Sequence, residues 1–368
     1  MLNAFFIIFY IFVSLLFIIF LAQLFLSIPR KYRITYHGNP GFKTLVIVPC
    51  RGIDFGLAEN LASITHQEYE NYKVMAVVDS EDDLAVPAIR DTGIEYMISS
   101  CESKGSGKVR AIASAIMKFP DFDAYVIADS DILAPKNWLN SLLQPLIHEK
   151  YGLSTTFPYF SPEGGFWSHF KTAWGLVGQG MMESDITVFG WGGSLAFRKE
   201  LLEDEYSLED FASDVSDDMA LTRICKRKSM KIAYVKEATV NIRSPDDWPV
   251  FREWSLRQTS LLVSRNRIAL KIGLLMYGSE SMLMVFSVIL SLVYSPFFAI
   301  FLLPAWINVI KSILRIRERK AVYVLIGLVM PFFYTWNLAV ASHTQEISWR
   351  GRKYSLLEFS DPVEKNKS

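Results

Sequence analysis

The stretch AYVIADSDILAP (residues 124–135) decides the fold. Its first five residues are apolar and rich in strand formers, and a short apolar run bounded by polar residues reads as a fully buried strand. The run stops at Asp129, and Asp131 follows one residue later. Folding alone does not require two carboxylates at the tip of a buried strand. Working outward, the pattern recurs in KTLVIVPC (43–50), NYKVMAVVDS (71–80) and YMISSC (96–101). GLAENLASITHQEY (56–69) and VRAIASAIMKF (109–119) read as the helices between them. Strand–helix alternation predicts a largely parallel, Rossmann-like α/β sheet covered on both faces. Ligands sit at the carboxyl ends of the strands in such sheets. Pro49 and Arg51 in the PCRG turn, Asp79 with nearby Asp82, and Asp129 all fall at such ends.

The rest of the chain reads as membrane. The composition is 51% hydrophobic and 14% aromatic, too apolar for an ordinary soluble enzyme. AFFIIFYIFVSLLFIIFLAQLFLSI (4–28) carries no charge and exceeds the roughly 30 Å hydrocarbon core. It lacks the basic start and the cleavage site of a signal peptide, so an anchor over 1–28 is expected. PRKYR follows with Arg30, Lys31 and Arg33, which places the next domain in the cytoplasm. A second apolar block, about 272–313, breaks at Pro296 into two expected spans and ends in basic KSILRIRERK (311–320). A third, 321–342, has Pro331 at its middle and is open to two readings, a span or a kinked re-entrant element. No acid–base pair stands inside these blocks, and Glu280 is read as lying near an end, which argues against a transporter. Between domain and spans, Trp248, Phe251, Trp254, Leu261 and Leu262 suggest an amphipathic interface helix. The expected organisation is an anchor (1–28), an α/β domain (40–245), an interface segment (246–270), C-terminal transmembrane helices (271–345) and a tail (346–368).

Lys and Arg number 38, as do Asp and Glu, so no nucleic-acid partner is expected. Cys50, Cys101 and Cys225 are far apart, without a CxxC, which excludes a disulfide framework or a cysteine zinc site.

Three motifs carry chemistry. Asp129 and Asp131 can face one hard cation, Mn²⁺ or Mg²⁺, with diphosphate oxygens completing its shell. The alternative is that they cap a turn. Asp217 and Asp218 open an expected helix in SDVSDDMALTRICKRKSMKIAYV (213–235). They either cap it or supply a general base for an acceptor hydroxyl, one carboxylate raising the pKa of its neighbour. Gly190, Gly192 and Gly193 in FGWGGSLAFRKELL (189–202) either allow close approach to a ligand or make a plain turn. GSGK (105–108) lacks the spacing of a phosphate-binding P-loop.

These segments resemble a membrane-bound, processive-type nucleotide-sugar glycosyltransferase, and the ceramide glucosyltransferases above all. The likeness runs through VIVPCRGIDFGLAENLASITHQEYENYKV, ADSDI, GGSLAFRKELL, SDDMALTRICKRKSMKIAY and ISWRGRKYSL. It implies a GT-A fold and inverting transfer from a nucleotide-sugar, UDP-glucose or similar, to a membrane lipid hydroxyl. It implies that Asp79 sits by the nucleotide base and that Asp129 and Asp131 bind Mn²⁺ or Mg²⁺. Asp218 becomes the catalytic base with Asp217 beside it, and Lys108 lies near the diphosphate. Pro49, Arg51, Asp82 and Asp129 complete the donor side. Gly192, Gly193, Trp254, Arg257 and Gln258 form the acceptor side. One departure is clear: where the family has (Q/R)xxRW, this chain has WSLRQ (254–258), its tryptophan leading the motif. Other acceptors would make it a polyprenyl-phosphate glycosyltransferase or a polysaccharide synthase. A reading from another class is a non-catalytic membrane scaffold.

Overall fold

The computed structural model describes residues 9–18, 21, 39–318 and 320–356. Two compact units emerge. One is Pro29–Glu163 with Val177–Ser244; the other is Met1–Ile28, Gly164–Leu176 and Pro245–Ser368. The expected α/β domain therefore gives up residues 164–176 to the second unit.

The first unit is built on a seven-stranded sheet. Its strands are β1 (Thr44–Pro49), β2 (Tyr72–Val78), β3 (Glu95–Ile98), β4 (Ala124–Ala128), β6 (Tyr151–Thr155), β8 (Ser194–Arg198) and β9 (Lys231–Tyr234), in the order β3-β2-β1-β4-β8-β6-β9. β4 is buried at every position and β1 at all but its last, as strands covered on both faces must be. β3, β2, β1 and β4 run parallel, and β6 is parallel to β9. β8 is antiparallel to both of its neighbours. The mostly parallel α/β sheet expected from the sequence is thus present, with one reversed strand that alternation did not reveal. A smaller sheet joins β5 (Ile132–Leu133), β10 (Asn241–Ser244) and β7 (Tyr159–Pro162).

The reversal of β8 matters for function. The chain enters β8 beside the end of β4, so the loop 189–193 lies against the Asp129 turn, where Asp129 N–H donates to Gly193 O at 3.1 Å. The crossover helix Gly107–Lys118 starts at the same sheet edge. Ser106 caps it, its Oγ accepting from Val109 N–H at 3.2 Å.

In the second unit, helix Trp248–Arg265 buries Phe251, Ser255, Thr259 and Val263, spaced four apart. Leu261 is half-buried and Leu262 exposed, while the hidden stripe is mostly small and polar. Such a stripe lets another helix come close. That helix is Val322–Ala341, whose Asn337 Nδ2 donates to Thr259 Oγ1 at 2.7 Å and to Ser255 O at 3.2 Å.

Among the described residues, three helices are long and apolar enough to cross a membrane: Arg267–Val293, Pro296–Arg315 and Val322–Ala341. Pro331 lies inside the last without breaking it. Glu280 stands at the middle of Arg267–Val293 rather than near an end, buried, and accepts from Asn308 Nδ2 at 2.8 Å. Of the expected anchor, the helical stretch Phe9–Ile18 packs Val13 and Leu16 against Leu283. The remainder of that segment (Leu21 apart) and the PRKYR charges lie outside the described residues. ISWRGRKY folds into a hairpin, Glu346–Trp349 with Arg352–Ser355. Arg350 and Gly351 both have positive φ, the signature of a type I′ turn. The tail beyond Leu356 lies outside the described residues.

Candidate active site

Lys108 is the centre of the site. It stands at the second position of helix Gly107–Lys118, and its side chain is 11% exposed. Its Nζ lies 2.7 Å from Asp129 Oδ1 and 3.2 Å from Asp217 Oδ1, and donates to Gly192 O at 3.1 Å. Four segments remote in sequence meet on one ammonium. Burial pulls the Lys108 pKa down, but the charges of Asp129 and Asp217 outweigh it and hold the ammonium well above its usual range. Asp217 is 3% exposed. Burial pushes its carboxyl up to about 7, against the pull of Lys108 and with help from Asp218 and Asp129. The raised carboxyl is therefore that of Asp217.

Asp218, next along helix Asp217–Arg227, is half-buried. Its Oδ1 accepts from Ser216 Oγ and, at 2.7 Å, from Met219 N–H. Its Oδ2 has a long 3.5 Å contact from Gly192 N–H. One oxygen is thus fixed by the chain, and the other stays lightly engaged.

The glycines make room within the chain itself. A Cβ on Gly192 would run into the Asp217 carboxylate, and one on Gly193 into the Trp191 ring. The close neighbours are parts of the chain itself. The loop is pinned further by Gly190 N–H donating to Thr222 Oγ1 at 2.8 Å and Trp191 N–H to Thr155 Oγ1 at 3.0 Å. Gly192→Ala is expected to lower stability by about 1–3 kcal/mol through overpacking. It should also displace Asp217. Gly165→Ala, which meets open space, is the control. Thermal melts of the two variants in detergent check this; equal melting temperatures would show that the loop yields freely.

Arg51 and Asp79 form a separate pair at the ends of β1 and β2, with Arg51 Nη1 2.9 Å from Asp79 Oδ2. Pro49 ends β1 just before them. Asp82 is exposed. Its neighbour Asp83, absent from the sequence reading, ties these turns together: its Oδ1 accepts from Gly52 N–H and Ala85 N–H, both at 2.9 Å. Asp131 is half-buried on the turn after Asp129. That turn is held through Ser130, whose Oγ donates to Asp54 Oδ2 at 2.6 Å and whose carbonyl accepts from Asn60 Nδ2 at 3.1 Å. Asp54 and Asp83 carried no periodic signal, since each works through a turn, and Asn60 is a polar residue on the buried face of helix Leu57–Thr65. Trp254, Arg257 and Gln258 belong to the second unit. Trp254 packs on Trp174, ring centres 4.8 Å apart, and lies 4.5 Å from the Lys171 ammonium. Arg257 lies 5.1 Å over the Trp349 ring of the hairpin, and Gln258 is half-buried.

Residues 12–359 match the model of glycosyl transferase family 21. The chain belongs to that family. Among solved structures, a mannosyltransferase from Pyrobaculum calidifontis, in complex with GDP-Man and Mn²⁺, is 15% identical. It matches 90% of this chain and 96% of its own with a TM-score of 0.52, a likeness of fold. A glucosyl-3-phosphoglycerate synthase from Mycobacterium tuberculosis, in complex with Mn²⁺, UDP and phosphoglyceric acid, is also 15% identical. It covers 61% of this chain and 78% of its own, with a TM-score of 0.40. The family 21 chain is a glycosyltransferase with a GT-A-like α/β unit and, among the described residues, three candidate membrane spans.

Proposed function

We propose that this chain is a membrane-bound, inverting glycosyltransferase. Its donor is a nucleotide-sugar, UDP-glucose or a close relative, and its acceptor a hydroxyl of an amphipathic membrane lipid of the ceramide type. The observation that carries the reading is the meeting of Asp129, Asp217, Asp218 and Lys108 around Gly192 at the strand ends. A donor needs its diphosphate held there and its acceptor deprotonated there.

The donor set fits a divalent cation. Asp129 and Asp131 offer only oxygen, the preference of Mg²⁺ and Mn²⁺. The Lys108 ammonium against Asp129 already marks the spot as one that favours positive charge. No group of three His, Cys, Asp or Glu able to hold a metal occurs among the described residues. Two carboxylates suffice where substrate phosphates and water complete the shell. Such a cation would neutralise charge on the departing diphosphate. In this reading Arg51 and Asp79, paired at the ends of β1 and β2, hold the nucleotide. Asp218 Oδ2 takes the proton of the acceptor hydroxyl as its oxygen attacks the anomeric carbon in line. The bond to the nucleoside diphosphate breaks, and the configuration inverts. Asp217 is too deeply buried to reach an acceptor; it shares the Lys108 charge.

The test is an activity assay on the purified full chain, with radiolabelled nucleotide-sugars and total lipid extract. A labelled hydroxyl-linked glycolipid is expected. Labelled polyprenyl phosphate or polymer would assign the acceptor differently, and no transfer with any donor would favour a non-catalytic scaffold.

The α/β unit is assigned to the cytoplasmic side, because basic segments flank the apolar ones at PRKYR and KSILRIRERK. In sealed right-side-out vesicles, external protease should leave residues 40–245 intact. Their digestion from outside would reverse the orientation.

A further inference from the structure

We propose that Lys108 is a built-in counterion that competes with the metal for Asp129, so that the metal binds well only together with the donor diphosphate. The proposal rests on the reading of Asp129 as a metal ligand.

The geometry gives the reason. An ammonium 2.7 Å from Asp129 Oδ1 sits where a cation on that oxygen would have to stand. Two cations cannot share that oxygen at close range without strong repulsion. Lys108 is also anchored on its other sides, to Asp217 Oδ1 and to Gly192 O. It therefore has partners to fall back on when Asp129 is taken. Asp217 is too buried to serve the acceptor, and a resting place for the ammonium explains why the chain keeps a carboxylate there. Without donor, metal entry must displace a buried, well-paired ammonium. With donor, the diphosphate adds negative charge for both cations, and displacement becomes easy. The arrangement keeps Asp129, a third exposed, paired between turnovers and gives the more deeply set Lys108 ammonium its counter-charges.

The discriminating variant is Lys108→Met/Asp217→Asn. Measured well above pH 7, where the Asp217 carboxyl is ionised, it removes one positive and one negative charge together, so the net charge of the site is unchanged and no unpaired buried ammonium is left. General electrostatics then predicts no change in metal affinity, whereas relief of competition predicts a gain. The measurement is Mn²⁺ binding to the purified full chain in detergent without nucleotide, followed by electron paramagnetic resonance. The double variant is expected to bind Mn²⁺ about tenfold more tightly than wild type, or better, given the strength of close buried charge pairs. Equal or weaker binding, with circular dichroism showing the fold intact, overturns the proposal. Asp129→Ala separates this from failure of the underlying reading. Loss of Mn²⁺ binding in Asp129→Ala with no gain in the double variant defeats the Lys108 role alone. Undiminished binding in Asp129→Ala defeats the metal site itself. Should the double variant unfold, Lys108→Arg is measured in its place. Its charge is kept, so no gain is expected, and a tenfold gain would count against competition.

Discussion

Asp129→Ala is expected to abolish glycosyl transfer, with turnover below detection, and to remove nucleotide-sugar binding with it. Its carboxylate does two jobs. It supplies oxygen at the end of β4, where a diphosphate is expected, and it neutralises one side of the buried Lys108 ammonium at 2.7 Å. Removing it deprives the diphosphate of its metal-binding oxygen and leaves the Lys108 ammonium beside Asp217 Oδ1 at 3.2 Å. Asp129 is a third exposed and Lys108 keeps Asp217, so the cost in stability stays below the roughly 3–5 kcal/mol of breaking a fully buried pair, but stability still falls. The protein must therefore be shown to be folded before the loss is read as chemistry. Chelation with EDTA makes the same point without a mutation. Activity should vanish on chelation and return with Mn²⁺ or Mg²⁺. Full turnover in metal-free buffer would sink the role of Asp129 and Asp131 as ligands. Asp131→Ala should be the milder change, because Asp131 is not part of the Lys108 cluster.

The sheet was readable because its strands are buried on both faces. AYVIA and TLVIV are almost uninterrupted apolar runs, and only a parallel, helix-covered sheet needs them so. β8 was harder, since SLAFR looks the same in either direction. Strand direction is set by how the connecting segments pack, and apolar pattern carries no record of it. Helix Trp248–Arg265 carries a packing stripe that was hidden for a related reason. Trp248, Phe251 and Trp254 drew attention as large apolar side chains. The buried stripe starts at Phe251 and continues through Ser255 and Thr259, because close helix contact favours small residues over large ones.

The site was legible where chemistry needs an acid at a strand end. Asp79 and Asp129 stand out because an apolar strand gives no other reason for them. Lys108 was placed near a diphosphate by resemblance alone, and nothing in its own segment indicates that it bridges Asp129 and Asp217. That contact joins residues 109 positions apart, and pairwise closure over such a distance is written in topology. Gly192 was singled out for ligand approach, yet its missing side chain makes room for Asp217. A glycine reports that something comes close, without saying what. Asp217 and Asp218 are adjacent and chemically identical, so sequence could not divide their tasks. Burial divides them, placing one against Lys108 and leaving the other half-open.

Asp218→Asn is expected to lower kcat by about 10²–10⁴, the usual worth of a positioned general base, while nucleotide-sugar affinity stays close to wild type. The substitution is nearly isosteric. The amide oxygen can still accept from Ser216 Oγ and from Met219 N–H, the latter at 2.7 Å in the native site, so the helix start should hold. What is lost is the basic oxygen that Oδ2 presents. Because that group acts on the acceptor, a fall in kcat without a rise in donor KM is the pattern that marks the role. Asp217→Asn should behave differently. It strips the buried ammonium of a carboxylate, so it should disturb donor binding as well as rate, and a thermal melt should register it. Steady-state kinetics on both variants, with the acceptor saturating, distinguish the two carboxylates. If Asp218→Asn kept near wild-type turnover while Asp217→Asn did not, the base would not be Asp218. A phosphate-bearing acceptor, already ionised and in need of no base, would then fit the site better than a lipid hydroxyl.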